Sequence, residues 1–524
     1  MLHTSSAFNQ KSSNSQKMEF TFSLLFWCSA LLLATLLQLS KRQSQKTKQQ
    51  QPPGPRGWPI IGNILDLGAM PHQTLYKLRP KYGPILWLKL GSMNTIAVQS
   101  AKAAEQLFKN HDLSFCDRKC LIALTSQNYN QGSVAVNQYG PYWRVMRRLC
   151  NMELLVNKRI VDTAPIRGRC VDAMIQFIQD DSAAKRSRGE AGAVNLAHYL
   201  FLTSFNVVGN LVFSRDLLDP QCREGNEFFH AMDNIMNLAG KPNVADFLPL
   251  LKWLDPQGVK RNMTKHMKKA MEIAGKFVKE RVEEKKSGRL KSSTKEFLDV
   301  LLEYESDGKE GPDKISNHNI NIIVLEMFLA GSETTSSTIE WAMAELLRRP
   351  ELMQKAKEEL NRVVGPKRKV EERDMDNLPY LQAVVKETLR LHPPIPLLLP
   401  RNALEDTKFM GYLIPKDTQI FVNVWGIGRD PESWDEPLCF KPERFIGSNI
   451  EYKGQNYELL PFGSGRRICV GMSLGQRMVH LALASLLHSF DWKIVPEALD
   501  MSERMGITLR KLAPLEAIPL NPSL

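Results

Sequence analysis

A cysteine at position 469 stands in the run Phe462-Gly463-Ser464-Gly465-Arg466-Arg467-Ile468-Cys469-Val470-Gly471. A thiolate is a strongly donating ligand, and this spacing surrounds it with groups that serve it. Gly465 permits a tight turn and close backbone approach. Arg467 offers a charge to an anionic group. Phe462 can keep water from the sulfur. Gly471 allows the turn into a helical stretch from about Met472, whose N-terminal end favours an anionic sulfur. A glycine-rich loop with one buried cysteine would say little; the full F-x-x-G-x-R-x-C-x-G spacing is highly specific.

Three further constellations bear chemistry. Ala330-Gly331-Ser332-Glu333-Thr334-Thr335 interrupts an apolar helical run. Glycine and hydroxyl residues are unfavourable there, and threonine competes for helix carbonyls and opens a groove. Glu333 followed by Thr334 suits a water chain that moves protons. Glu387 and Arg390 share a helix face at i, i+3. Trp143 and Arg147 share one at i, i+4. Taken alone, such exposed pairs are worth little.

The Cys469 run resembles the haem-binding signature of the cytochromes P450, and the resemblance extends from the proline hinge at 52–55 to the end. It implies a mainly α fold with small β-sheets, forming one large haem domain. Cys469 would be the metal ligand, pushing electron density onto the haem iron and favouring O–O cleavage. Glu333 and Thr334 would be the catalytic proton relay. Trp143, Arg147, Arg401 and Arg467 would meet the haem propionates, with Phe462, Gly465 and Gly471 shaping the cysteine loop. Glu387, Arg390 and Arg444 would form a structural network.

The cofactors implied are haem b (iron protoporphyrin IX), O2 and electrons from NADPH. These electrons would pass through a membrane-bound NADPH–cytochrome P450 reductase, an acidic partner docking near Arg144, Arg148 and Arg466. Substrate contacts would come from residues 112–138, Phe328, Ala330, Ile395, Leu397, Leu398 and Ile507. They are largely apolar, so the substrate would be small and lipophilic.

Phe247-Leu248-Pro249, Leu254-Asp255-Pro256-Gln257-Gly258 and the stretch 99–118 resemble a plant microsomal group rich in terpenoid hydroxylases. The expectation is oxidation of a terpenoid, leaning to monoterpenoids or iridoids. Phenolic, coumarin or alkaloid hydroxylation is the alternative. A haem-thiolate isomerase or dehydratase is a rival of another class; it needs no proton relay, so Glu333-Thr334 argues against it.

The elements that must position these residues read as mostly helical. Residues 324–347 and 351–364 are rich in helix formers. Short β-rich pieces lie at 84–89, 94–99 and 419–424. Polar stretches at 181–192 and 285–295 read as surface loops. There is no regular βαβ alternation, no G-x-G-x-x-G and no P-loop, which argues against a nucleotide-binding sheet.

Residues 20–39 contain no charge and 15 apolar residues, enough for a helix to span a bilayer core. Lys41, Arg42, Lys46 and Lys48 follow directly, so the positive-inside bias leaves the large C-terminal part in the cytosol, single-pass in the endoplasmic reticulum membrane. The expected organisation is therefore a polar extension 1–19, an anchor in membrane lipid 20–39, a basic tether and proline-rich hinge 40–57, and a haem domain 58–524. The formal net charge is +13, without lysines and arginines interleaved with aromatics, so nucleic acid is not an expected partner. The 8 cysteines are scattered without a C-x-x-C pair, so no disulfide framework is expected.

Overall fold

The last half of the chain is organised by one long helical run that changes core midway. It comprises Asn317–Gly331 and Glu333–Leu347, parted at Ser332. The first member packs into an apolar core with Leu196–Phe213, Arg223–Ala239 and Val259–Lys286, through residues such as Ile323, Phe328, Phe205 and Met267. The second packs into another core with Ala164–Ser187, Pro350–Val363, Pro379–Leu391 and Met472–Ser489, through Ile339, Met343, Leu360, Val384 and Leu483. Each large buried side chain here stabilises the fold by about 1.5–3 kcal/mol.

The computed structural model describes residues 51–218, 223–287, 297–306, 308, 310–495 and 499–522. Residues 53–410 and 414–522 form one large body, and 51–52 and 411–413 group apart from it. The expected polar extension and anchor, and most of the tether, lie outside the described residues. So does most of the stretch 285–295.

The sheets are small, as expected. Ile85–Leu90 pairs antiparallel with Met93–Val98, which pairs parallel with Gln419–Val422, itself antiparallel to the two-residue strand Arg401–Asn402. That edge strand positions Arg401. Near the C-terminus, Glu503–Met505 and Leu509–Lys511 form a hairpin.

The interruption expected within 324–347 falls at Ser332, between two helices. One expectation is corrected. Residues 181–192 are not all loop, because Ala164–Ser187 continues as helix through most of them; Ala, Lys and Arg are good helix formers whatever their polarity. Among the described residues Leu196–Phe213 is long and apolar enough to cross a membrane, but Leu200, Phe205, Val208 and Val212 bury it in the cores.

Candidate active site

The cysteine loop is shaped by its glycines. Gly463 and Gly465 have φ of 70° and 69°, the left-handed region that side chains resist. A Cβ at Gly465 would fall 2.3 Å from Asp112 Oδ1, so the site admits no side chain. The Cys469 amide donates to Phe462 O at 3.0 Å, closing the loop just before the helix Met472–Ser489. Cys469 is surrounded by the fold, yet its own surface is open, so it borders an internal space. Burial pushes its thiol up, against the pull of the Gly471 amide and Arg147. A bound cation is what would hold this sulfur as thiolate.

The loop lies where the two cores meet. Phe462 and Met472 pack on one core, and Val470 on the other. The Ser332 interruption lies at the same junction, between Phe328 in one core and Ile339 in the other.

One flank carries a crowded set of cations. Arg467 donates to Cys116 O at 2.8 Å, Asn137 O at 2.8 Å and Val134 O at 3.3 Å, and lies 3.9 Å over the Trp143 ring. Trp143 Nε1 donates to Val134 O at 2.8 Å. Arg401 pairs with Asp112 at 2.8 Å and donates to Ser464 O. Arg147 donates to Ile468 O beside the cysteine.

Arg118, not singled out from the sequence, joins them. It donates to Ala135 O at 3.0 Å, Pro400 O at 2.9 Å and Leu399 O. Burial, and then the charges of Arg401 and Arg467, push Arg118 well below the ordinary arginine range. Burial lowers Arg401 and Arg147 too, and brings Arg467 to about 10. Among the described residues Asp112 is the one carboxylate that forms an ion pair with this set, and it is shared between Arg401 and Arg466. Buried cations that repel one another fit a group that brings its own carboxylates, which a haem does.

The helix interruption is built from hydroxyls. The Thr334 hydroxyl donates to Ala330 O at 2.7 Å, and buried Ser332 Oγ has no partner among the described residues. Glu333 is 2% exposed; Arg510 Nη1 lies 2.5 Å from Oε1, and the Thr508 hydroxyl donates to Oε2. Burial raises Glu333, against the pull of Arg510 and Thr508. The acid and the threonine therefore take separate partners. Neighbours on a helix point about 100° apart, which the pair Glu333-Thr334 read as a unit had not allowed for.

Glu387, Arg390 and Arg444 come together as expected of a network. Arg390 makes two 2.7 Å bonds to Glu387, Arg444 adds one at 3.1 Å, and the Lys441 amide another at 2.7 Å. Arg390 also donates to Pro437 O and Cys439 O.

The expected substrate contacts divide. Ala330 is exposed, and Ile395, Leu398 and Ile507 are half-buried. Leu398 has φ of 51°, rare for a β-carbon residue, and its Cδ1 would lie 3.5 Å from a Cβ on Gly463. Leu397 is buried on the first sheet's core. Phe328 is corrected: it is 0% exposed and packs on Phe205, Phe213 and Phe228, with ring centroids 4.7, 6.1 and 5.0 Å away. Two residues on from it, Ala330 faces nearly the opposite way, so both cannot line one cavity.

Comparison with known proteins agrees with this construction. The Cytochrome P450 family model matches residues 52–514. The chain is 58% identical over 493 residues to the iridoid oxidase of Catharanthus roseus, covering 93% of this chain and 95% of that one. It is 42% identical to the geraniol 8-hydroxylase of the same plant, covering 93% and 97%. A zebra fish cytochrome P450 solved with abiraterone superposes with a TM-score of 0.73 at 27% identity, covering 87% of this chain and 100% of that one. The chain belongs to the cytochrome P450 family: it is a haem monooxygenase that uses O2 and electrons from a reductase.

Proposed function

We propose that this chain oxidises a terpenoid, of the monoterpenoid or iridoid class, and that Cys469 would hold the iron of a haem b through its sulfur. The observation that carries the reading is the open Cys469 sulfur on a glycine-shaped loop flanked by buried arginines that repel one another, a set that fits a haem and its propionates. The likeness to an iridoid oxidase and a geraniol 8-hydroxylase supports the substrate class.

The haem, when bound, supplies the chemistry that places one atom of O2 in a C–H or C=C bond and releases the other as water. The chain's own residues do the rest. Arg118, Arg147, Arg401 and Arg467, with Trp143, would hold the propionates; Phe462, Gly465 and Gly471 would shape the loop that presents the sulfur. Reducing one oxygen atom to water consumes two protons. Thr334 presents its hydroxyl oxygen to the internal space, where it orders water and passes a proton. Glu333, raised by burial, retains a proton nearer neutrality than an exposed carboxyl and recharges that water. Ala330, Ile395, Leu398 and Ile507 offer an uncharged wall that orients a lipophilic skeleton by shape.

Electrons come from NADPH through a membrane-bound reductase. Exposed Arg144, Arg148 and Arg466 lie on or beside the elements that hold Cys469 and attract its acidic face. Residues 20–39 anchor the chain once in the endoplasmic reticulum membrane, with 58–524 in the cytosol. The test is reconstitution of the full chain with reductase and NADPH, offering geraniol and iridoid alcohols and identifying products by mass spectrometry. NADPH-dependent oxygenated products are expected; turnover only of phenolic or alkaloid compounds would overturn the substrate class.

A further inference from the structure

The helix Asn317–Gly331 carries a second buried acid, Glu326, which the reaction described above does not use. It is 9% exposed and sits one turn before Ala330. The amides of Val134 and Ala135 donate to it at 2.7 and 2.9 Å, the Ser133 hydroxyl donates to Oε1, and the Tyr129 hydroxyl lies 3.5 Å away. Every one of these partners is neutral, and no cation pairs with it among the described residues. Gly132 presses against the same helix: a Cβ there would fall 2.7 Å from Ile322 Cδ1.

The loop that Glu326 holds is the one on which the cation flank leans. The peptide group joining Val134 and Ala135 gives its N–H to Glu326 and its C=O to Trp143 and Arg467. The next carbonyl, of Ala135, accepts from Arg118. A single peptide group thus stands between a buried carboxylate and a buried guanidinium. Each charge polarises that group toward the other, which strengthens both bonds.

We propose that Glu326 is a positioning residue: its charge clamps residues 133–135 to the helix, and through their carbonyls it sets Trp143, Arg118 and Arg467. The clamp itself is independent of the terpenoid reading; its effect on substrate rests on that reading, since this loop sets the arginines that would hold the haem. Burial raises Glu326, while its four donors pull it down, so the fold supplies the solvation that water would otherwise provide.

The test compares Glu326→Gln, equal in size but neutral, with Glu326→Asp and Ser133→Ala in the full-length holoenzyme. Hydrogen exchange at Val134 and Ala135 is expected to accelerate about tenfold or more in Glu326→Gln, less in Ser133→Ala, with partial recovery in Glu326→Asp. Amides of Glu333–Leu347 should stay unchanged. Unchanged exchange at 134 and 135, or loosening of the whole fold in step, overturns the clamp; if Glu326→Gln does not fold, Ser133→Ala decides by the same criterion. With geraniol as probe, the spectral dissociation constant should rise about tenfold in Glu326→Gln. Equal geraniol affinity with loosened amides overturns the link to substrate. A wild-type chain that shows no spectral response to geraniol counts against the terpenoid reading alone and leaves the clamp to be judged by exchange.

Discussion

Two buried glutamates, Glu387 and Glu333, divide the molecule into a part that holds still and a part equipped to react. Glu387 is 0% exposed and accepts from Arg390, Arg444 and the Lys441 amide, while the other arms of Arg390 reach backbone carbonyls. Its donors and acceptors are matched on all sides. Glu333 is nearly as buried, but it is held from one side by Arg510 and Thr508, next to a Ser332 hydroxyl without a partner and a Thr334 hydroxyl turned back on its own helix. A saturated polar network rigidifies; one with spare capacity can take up water and protons. The difference teaches where chemistry is affordable in this fold: at the junction of its two cores, not within either.

The comparison breaks most completely at the sulfur. Cys469→Ala removes the ligand, so the thiolate-type carbon monoxide absorption band of the reduced protein should vanish. A band that persists would remove Cys469 from the site.

The saturated network should fail as structure. Glu387→Ala strands two buried guanidiniums, at a cost of about 3–5 kcal/mol. Denaturant unfolding should show that loss, with haem-loaded protein falling in parallel. A variant that is stable but inactive would make Glu387 a participant in the reaction and erase the contrast.

The unsaturated region should fail as chemistry instead. Thr334→Ala deletes a hydroxyl whose bond goes to a helix carbonyl, so stability should change by less than about 1 kcal/mol. Product per NADPH should fall about tenfold or more, with the missing electrons appearing as hydrogen peroxide. Tight coupling in the variant would count against the relay.

The smallest effect concerns Glu340, about two turns further along the same helix, which burial raises from 4.5 to about 7. The folded state then binds this proton more tightly than the unfolded chain. Its stabilisation is complete below about pH 4.5 and is lost as pH rises toward about 7. Glu340→Gln should flatten that part of the stability profile by roughly 3 kcal/mol or less, read from unfolding at about pH 5 and about pH 8. An unaltered profile would show that another group titrates there.

How much of this was legible in the sequence varies with distance along the chain. The shape of the cysteine loop was, because its glycines answer local backbone demands. The helix break was half legible: hydroxyls and glycine announced an interruption, but not that Glu333 would turn toward a hairpin 175 residues later. Arg118 and Glu326 were missed. Neither lies in a recurring pattern, and the bond from the Ala135 amide to Glu326 spans 191 residues. Phe328 was expected as a contact from the family resemblance, whereas packing by three phenylalanines decides its direction.

By itself, the sequence determined the kind of loop that carries Cys469 and the helical character of the body. These follow from side-chain chemistry and from φ, ψ preferences acting over a few residues. Only the tertiary structure decided which buried charges are matched, which are left partly open and which face an internal space. Those outcomes depend on partners brought together from hundreds of residues apart, where desolvation makes each pairing, or its absence, energetically decisive.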